Sequence, residues 1–411
     1  MTTVATAAER WPCLTEIPHS PARAWIAEKL FRRTAGRLPI QVVFPDGERI
    51  GTGGPVMTLV RPGEFFHRLG VDAKIGFGEA YMAGDWTSED PVGLFTPFAQ
   101  RMAVLVPKPL QVLRRWVDAR RPSNERNTVE GARANIHRHY DLSNEMFEVF
   151  LDSSMTYSSA WFAPGDDLHS AQLRKIDGIL DLAGVRAGMH ILEIGTGWGS
   201  LALRAAQRGA RVTTLTISGE QQALAEQRIA EAGFASQVRV LLRDYRAAQG
   251  HYDAVVSVEM IEAVGEEYWP AYFATISRVL KPGGRAGLQA ITMPHDRMLA
   301  TRHSYTWIHK YVFPGGQLLS VPAIQDNVAN AGLRISSRRQ LGPHYALTLH
   351  EWRERFHAGW GRIAEAGFDP VFRRMWDFYL AYCEAGFRAG YLDAWQFSLR
   401  KAGSRLPSGG G

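Results

Sequence analysis

The sequence predicts an α/β protein built on a parallel sheet, and three observations carry that prediction. Between His190 and Ile291, short apolar runs alternate with amphipathic stretches, the written form of strand and helix repeats. A glycine-rich turn, Glu193-Ile-Gly-Thr-Gly-Trp-Gly199, falls where the first of those runs passes into a helical pattern, the junction at which open parallel sheets hold their ligands. The chain has 411 residues, 45% hydrophobic and 21% charged, enough for a sizeable core and a second, smaller domain.

Taken in order, residues 22–116 mix a helical start, a strand-like Leu38-Pro-Ile-Gln-Val-Val-Phe44 and glycine punctuation at Gly51 to Gly54. They read as a small mixed domain. Arg114-Arg115 and Arg120-Arg121-Pro122-Ser123-Asn124 form a basic, polar joint, so the boundary is placed at residue 124, with an accessory domain over 1–124 and the main domain over 125–411. There the expected strands are 190–195, 211–217, 238–242, 252–258 and 285–291, and the expected helices 201–208, 220–231 and 268–280. An α-rich insertion is expected around 293–345.

The net charge of +6 favours anionic partners without choosing among phospholipid headgroups, nucleic acid and cofactors. No RNA-binding motif is present, so nucleic acid is not the expected partner. Cys13 and Cys383 are too few for a disulfide framework, and a reducing cytosol fits them best. No run approaches the ~18–20 apolar residues that cross a bilayer, so any membrane contact is expected to be peripheral, on the inner face. His137 and His139 lack further ligands at a metal-binding spacing, and no metal is expected.

Gly195, Gly197 and Gly199 let the backbone approach a ligand closely. With Glu193 before them and Lys281-Pro-Gly-Gly284 before the fifth strand, they resemble the motifs of class I S-adenosylmethionine methyltransferases. The second strand departs from that pattern. It ends without the usual acid, in Leu215-Thr-Ile-Ser-Gly-Glu-Gln-Gln222, which resembles cyclopropane fatty acid synthases. Similarity to that family extends through Ile75-Gly-Phe-Gly-Glu-Ala-Tyr-Met-Ala-Gly-Asp-Trp86, His139-Tyr-Asp-Leu-Ser-Asn144, Val256-Ser-Val-Glu-Met-Ile-Glu-Ala-Val-Gly265 and Trp307-Ile-His-Lys-Tyr-Val-Phe-Pro-Gly-Gly316. It covers roughly residues 65–400.

The resemblance implies a Rossmann-like methyltransferase sheet and a cofactor pocket lined by Tyr157, Ser158, Glu193, Gly195, Gly197, Gly199, Thr216, Gln221, Asp244 and Tyr245. It implies methyl transfer from S-adenosylmethionine to the cis double bond of an unsaturated phospholipid acyl chain, followed by proton removal. In the family a carboxylate matching Glu262 helps hold a bicarbonate that acts as base, with Glu259 the main competitor for the role. Tyr140, Ser159, Ile291, Gln289 and Arg353 complete the expected catalytic set, Gln289 and Arg353 standing where the family has His and Tyr. Gln289-Ala-Ile-Thr-Met293 and Trp352-Arg-Glu-Arg-Phe356 look most like the branch that makes 10-methylene-stearoyl lipids on the route to tuberculostearic acid. That product is favoured over cyclopropane, and for such a substrate the 1–124 accessory domain is expected to dock on lipid through basic residues beside exposed apolar side chains. A homo-oligomer and a reductase acting on the methylene product are left open, as are two other functions, an amine methyltransferase and a noncatalytic lipid or cofactor binder.

Overall fold

The computed structural model describes residues 10–105, 122, 125, 127–128, 131–132, 135 and 143–401. His137, His139 and the arginines between 114 and 121 lie outside them. The chain gathers into two compact units.

The first unit takes residues 10–105 together with His303–Pro314 and Leu349–Tyr391. Its sheet runs in the order β2-β1-β3-β4, with β1 at Gln41–Val43, β2 at Arg49–Gly51, β3 at Val56–Leu59 and β4 at Trp86–Thr87. Against it lie the helices Pro21–Ala35, Pro62–Val71, Ala73–Ala83, Pro91–Leu105 and Pro370–Arg388. The boundary at residue 124 had assigned everything beyond it to one domain. Two later segments instead return to the N-terminal residues, because the Ala73–Ala83 helix buries its face against them. The Tyr81 hydroxyl donates to Asp377 at 2.6 Å, and the Trp307 ring lies 4.6 Å from Phe378. Gly78 is required there, since a Cβ would come within 2.5 Å of the Trp307 ring.

The second unit takes the described residues from Pro122 to Arg302, Gly315–Thr348 and those from Leu392 onward. Its seven-stranded sheet has the order β10-β11-β9-β8-β5-β6-β7. The strands are β5 His190–Ile194, β6 Arg211–Thr216, β7 Val238–Leu242, β8 Tyr252–Val258, β9 Leu280–Thr292, β10 Leu333–Gln340 and β11 Asp393–Lys401. All five expected strands are present and pair in parallel. Their β-branched, apolar runs are buried on both faces by flanking helices.

Two antiparallel strands extend the β9 edge. β10 escapes the apolar pattern because it is at the edge, largely exposed, and reads Leu-Arg-Ile-Ser-Ser-Arg-Arg-Gln. The expected insertion holds the helices His295–Thr301, Trp307–Tyr311 and Val321–Asn330, but it ends in β10 and so is not wholly helical. Leu288, Tyr272, Phe273, Ile324 and Phe397 belong to one buried cluster of this unit. Ile179, Ile191, Ala205, Val212 and Ala254 belong to a second. The Leu, Ile, Val and Phe side chains among them contribute ~1.5–3 kcal/mol each on burial, and together the clusters hold the carboxyl ends of β5, β6, β8 and β9 in fixed register.

Candidate active site

At the end of β5 the chain turns through Gly195, Gly197 and Gly199 with φ of +96°, +52° and +89°. The Gly195 and Thr196 amides donate to Leu215 O on β6, which fixes the turn beside the end of that strand. A Cβ at Gly197 would meet nothing within 4 Å, so open space lies over the turn. Glu193, two residues before Gly195, is buried, and its Oε2 has no hydrogen-bond partner among the described residues. Burial pushes its carboxyl up to about 8, partly offset by the Thr214 hydroxyl and the Lys175 charge.

These features fit an S-adenosylmethionine cofactor. An unpartnered buried carboxylate oxygen suits an ammonium group, and an open glycine turn suits a ligand lying close to the backbone.

Of the other expected cofactor residues, Thr216 and Gln221 lie at and after the end of β6, Asp244 and Tyr245 follow β7, and Tyr157 and Ser158 precede β5. Thr216, the last residue of β6, donates to Gln221 at 2.9 Å, and Ser218 caps the following helix at Gln221 N. Both side chains are buried and can offer polar atoms to ribose hydroxyls. Asp244 is engaged bidentately by Arg246, at 2.8 and 2.7 Å. The Tyr245 hydroxyl is buried without a partner among the described residues. Tyr157 stacks edge-on to Phe147 at 5.1 Å, and the Ser158 hydroxyl accepts from Lys175 Nζ at 2.7 Å.

Two of the expected catalytic residues, Ser159 and Gln289, meet around Glu259, and a third, Ile291, meets Glu262. Glu259 follows β8 with φ of +49°, a left-handed conformation that costs a non-glycine residue ~1–3 kcal/mol. Three side-chain bonds hold it there. Its Oε1 accepts from the Ser159 amide at 3.0 Å and from Gln289 Nε2 at 2.7 Å, and its Oε2 from the Tyr345 hydroxyl at 2.6 Å. Its own amide donates to Gln289 O.

Glu262, in a short turn over Ile261–Ala263, accepts the Ile291 amide at 2.6 Å, and its Oε2 is buried without a partner among the described residues. Burial and then the neighbouring Glu259 charge push its carboxyl up to about 8. Burial also raises Glu259, but its three donors and the Lys175 ammonium oppose the shift. Glu262 therefore keeps its proton at neutral pH, whereas the three donors around Glu259 favour its ionised form against the burial that raises it. Lys175 is itself fully buried, and burial brings its ammonium down to about 8.

This arrangement does not fit a free bicarbonate. The Ser159 amide and the Gln289 amide group, donors that could serve an anion, already bind Glu259, and the Ile291 amide binds Glu262. Arg353 is not among these residues. It belongs to the first unit, where its Nε binds Asp377 at 2.7 Å alongside Tyr81 and His357. Helical periodicity could not reveal which unit that stretch joins. Tyr140 lies outside the described residues.

Tyr345, Lys175 and Gln396 went unnoticed in the sequence. Gln396, buried on β11, donates to Gln289 Oε1 at 2.9 Å and to Lys175 O, and accepts from Arg339. Only the register of β11 against β9, which pairs Gln396 with Gln289, brings it to the site.

Comparison with known proteins agrees with this geometry. The family model described as mycolic acid cyclopropane synthetase matches residues 127–397. Tuberculostearic acid methyltransferase UfaA1 of Mycobacterium tuberculosis is 50% identical over 96% of each chain. The cyclopropane-fatty-acyl-phospholipid synthase of Escherichia coli is 32% identical over 88% of this chain and 92% of its own. Among solved structures, mycolic acid cyclopropane synthase CmaA1 complexed with SAH and CTAB superposes with a TM-score of 0.61 at 32% identity, covering 68% of this chain and 99% of that one. The open glycine turn, the unpartnered Glu193 oxygen and these matches lead to one conclusion: the chain belongs to the mycolic acid cyclopropane synthetase family and is an S-adenosylmethionine-dependent methyltransferase.

Proposed function

We propose that the protein transfers a methyl group to the cis double bond of an unsaturated phospholipid acyl chain and releases a 10-methylene lipid, with Glu259 as the base. The observation that carries this reading is the Glu259 carboxylate, which accepts from the Ser159 amide, Gln289 and Tyr345, donors that favour its ionised form.

S-adenosylmethionine, when bound, supplies an electrophilic methyl on its sulfonium. Glu193 and the Gly195–Gly199 turn would hold it, with Thr216 and Gln221 on its hydroxyls. Addition of the methyl to one olefinic carbon leaves a cation on the other. Ring closure follows if the new methyl loses a proton at that point. A methylene follows if hydride first moves from the methylated carbon to its neighbour, carrying the cation onto the methylated carbon, and the new methyl then loses its proton. In either case one proton leaves, and Glu259 accepts it. Glu262, neutral beside it, keeps a second negative charge from forming and so leaves one defined acceptor.

The 50% identity to a relative named for tuberculostearic acid, against 32% for one named as a cyclopropane synthase, supports the methylene product. On this reading bicarbonate is not needed. The expected surroundings are the inner face of the membrane, reached peripherally, and a reductase would be the partner that consumes the methylene lipid. Among the described residues no helix is long and apolar enough to cross a membrane.

The test is incubation with S-adenosylmethionine and liposomes of oleoyl phospholipid, then mass spectrometry of the fatty acid methyl esters after double-bond-specific derivatisation. A derivatisable product one CH₂ heavier is expected. A product that resists derivatisation would mean ring closure, and no lipid product from folded, cofactor-binding protein would overturn the reading.

A further inference from the structure

The Pro21–Ala35 helix packs on the first unit through Ala24, Phe31 and Ala35. Those three positions share one side at 100° per residue, which leaves the opposite side to solvent. A surface helix ordinarily presents polar residues there. This one presents Trp25, 61% exposed, with Ile26 and Leu30 at 51% and 49%.

Arg23, Lys29 and Arg33 are exposed among them, and Lys29 Nζ lies 5.9 Å from the Trp25 ring. The helix has one acid, Glu28. It is turned to the flank, where it binds Arg32 at 2.7 Å, and Arg32 also binds Glu48 at 2.7 Å. The outward side therefore carries three large apolar groups and three cations with no carboxylate of its own helix to neutralise them.

We propose that this side of the helix is the surface by which the protein docks on an anionic phospholipid bilayer. Trp25, Ile26 and Leu30 would enter the boundary between headgroups and acyl chains, and Arg23, Lys29 and Arg33 would meet the phosphates. A tryptophan suits that depth, because its ring is apolar and its N–H finds a polar partner at the interface. Charge complementarity selects the anionic membrane over a neutral one. The inference rests on the lipid substrate proposed above and specifies how that substrate is reached.

The experiment uses the full chain and two triple variants, Trp25→Ser/Ile26→Ser/Leu30→Ser and Arg23→Ala/Lys29→Ala/Arg33→Ala. Cosedimentation is measured with vesicles of pure phosphatidylcholine and with vesicles containing phosphatidylglycerol. Native protein is expected to bind the anionic vesicles and to be released by salt. The apolar variant should bind about tenfold or more weakly to them, and the charge variant should lose its preference for them, as lost apolar burial and lost headgroup attraction require. Both variants alter exposed residues, so their thermal unfolding should match that of the native chain.

Activity on oleoyl lipid dispersed in detergent micelles separates this proposal from the previous one. Retention of micelle activity with loss of vesicle binding supports docking through this helix. Unchanged vesicle binding by both variants overturns it, as does failure of the native protein to bind anionic vesicles. Conversion of a dimer to a monomer with vesicle binding intact would assign the surface to a second copy of the chain instead. If the native protein binds vesicles through these residues but makes no lipid product, docking stands and the proposed reaction falls.

Discussion

Gln289 Nε2 lies 2.7 Å from Glu259 Oε1, and the amide is turned that way because Gln396 Nε2 occupies Gln289 Oε1 at 2.9 Å. An amide can offer either a donor or an acceptor to a neighbour. Here the choice is made one residue further out, and it favours the ionised form of Glu259. Removing Gln396 as Gln396→Leu should lower kcat about tenfold with little change in the KM for cofactor, the scale expected when a buried hydrogen bond is lost. Gln396→Glu should do more damage, since a carboxylate there accepts from the Gln289 amide nitrogen and turns the amide oxygen toward Glu259. Steady-state kinetics of both variants check this, and equal losses would mean that Gln396 matters only for packing.

If Glu259 is the base, Glu259→Gln should keep cofactor affinity and lose activity by a factor of about 100 or more, as removal of a general base usually does. Glu259→Gly is more informative. Glycine relaxes the positive φ, and the Ser159 amide, Gln289 and Tyr345 are left as three donors without an anion. Added formate or bicarbonate should then restore part of the activity, while the native enzyme should be indifferent to both. Assays in carbonate-free buffer, with and without each anion, decide the matter. A native enzyme that stops in carbonate-free buffer would return the role to bicarbonate.

The parallel sheet and the glycine turn were legible because their signals are local: a strand of five to seven residues and the turn after it are read within one window. The residues around the base were only partly legible. Glu262 stood out by its match to the family's carboxylate, whereas Glu259 stood only as its competitor. What distinguishes Glu259 is a left-handed backbone and donors from Ser159, Gln289 and Tyr345, which lie 100, 30 and 86 residues away. The partner of Arg353 was hidden for the same reason. That partner, Asp377, is fixed by Tyr81, 296 residues away in the chain, and no periodicity reports that contact.

Because Arg353 serves Asp377, Arg353→Ala should act mainly on stability. Asp377 is buried and receives Tyr81, His357 and Arg353, so deleting one partner weakens a buried carboxylate's support without leaving it bare. A cost of about 1–3 kcal/mol in chemical denaturation is expected, with kcat for the folded fraction within about twofold of native. A large loss of kcat without loss of stability would restore Arg353 to the catalytic set.

At the glycine turn, Gly197→Ala should separate folding from binding. Its φ of +52° is one an L residue adopts at a cost of roughly 1–2 kcal/mol, and the added methyl meets no protein atom within 4 Å. The variant should therefore fold, yet place a methyl where the cofactor would lie. Calorimetric titration with S-adenosylhomocysteine should show at least about tenfold weaker binding. Unchanged affinity would mean that the cofactor lies elsewhere.

The carboxyl of Glu262 should also be visible in the stability of the protein against pH. Its ordinary value is 4.5, and in the fold it is pushed up to about 8. Below 4.5 both states are protonated and the group contributes no difference. Between 4.5 and 8 the unfolded chain has released the proton while the native site retains it, so the native state loses stability as pH rises. Glu193, also near 8, acts in the same direction and window. Lys175 is lowered to about 8 from 10.5, and its contribution has the opposite sign but begins only above pH 8. Glu262→Gln keeps an acceptor for the Ile291 amide and removes the titration. Its melting temperature should therefore fall less than that of the native protein between pH 5 and 8, any remaining slope being the sum of Glu193, Glu259, Glu384 and Asp393, which are raised, against His190 and His344, which are lowered. Parallel pH profiles for the two proteins would mean that Glu262 is already ionised at neutral pH, and the division of roles with Glu259 would have to be reversed.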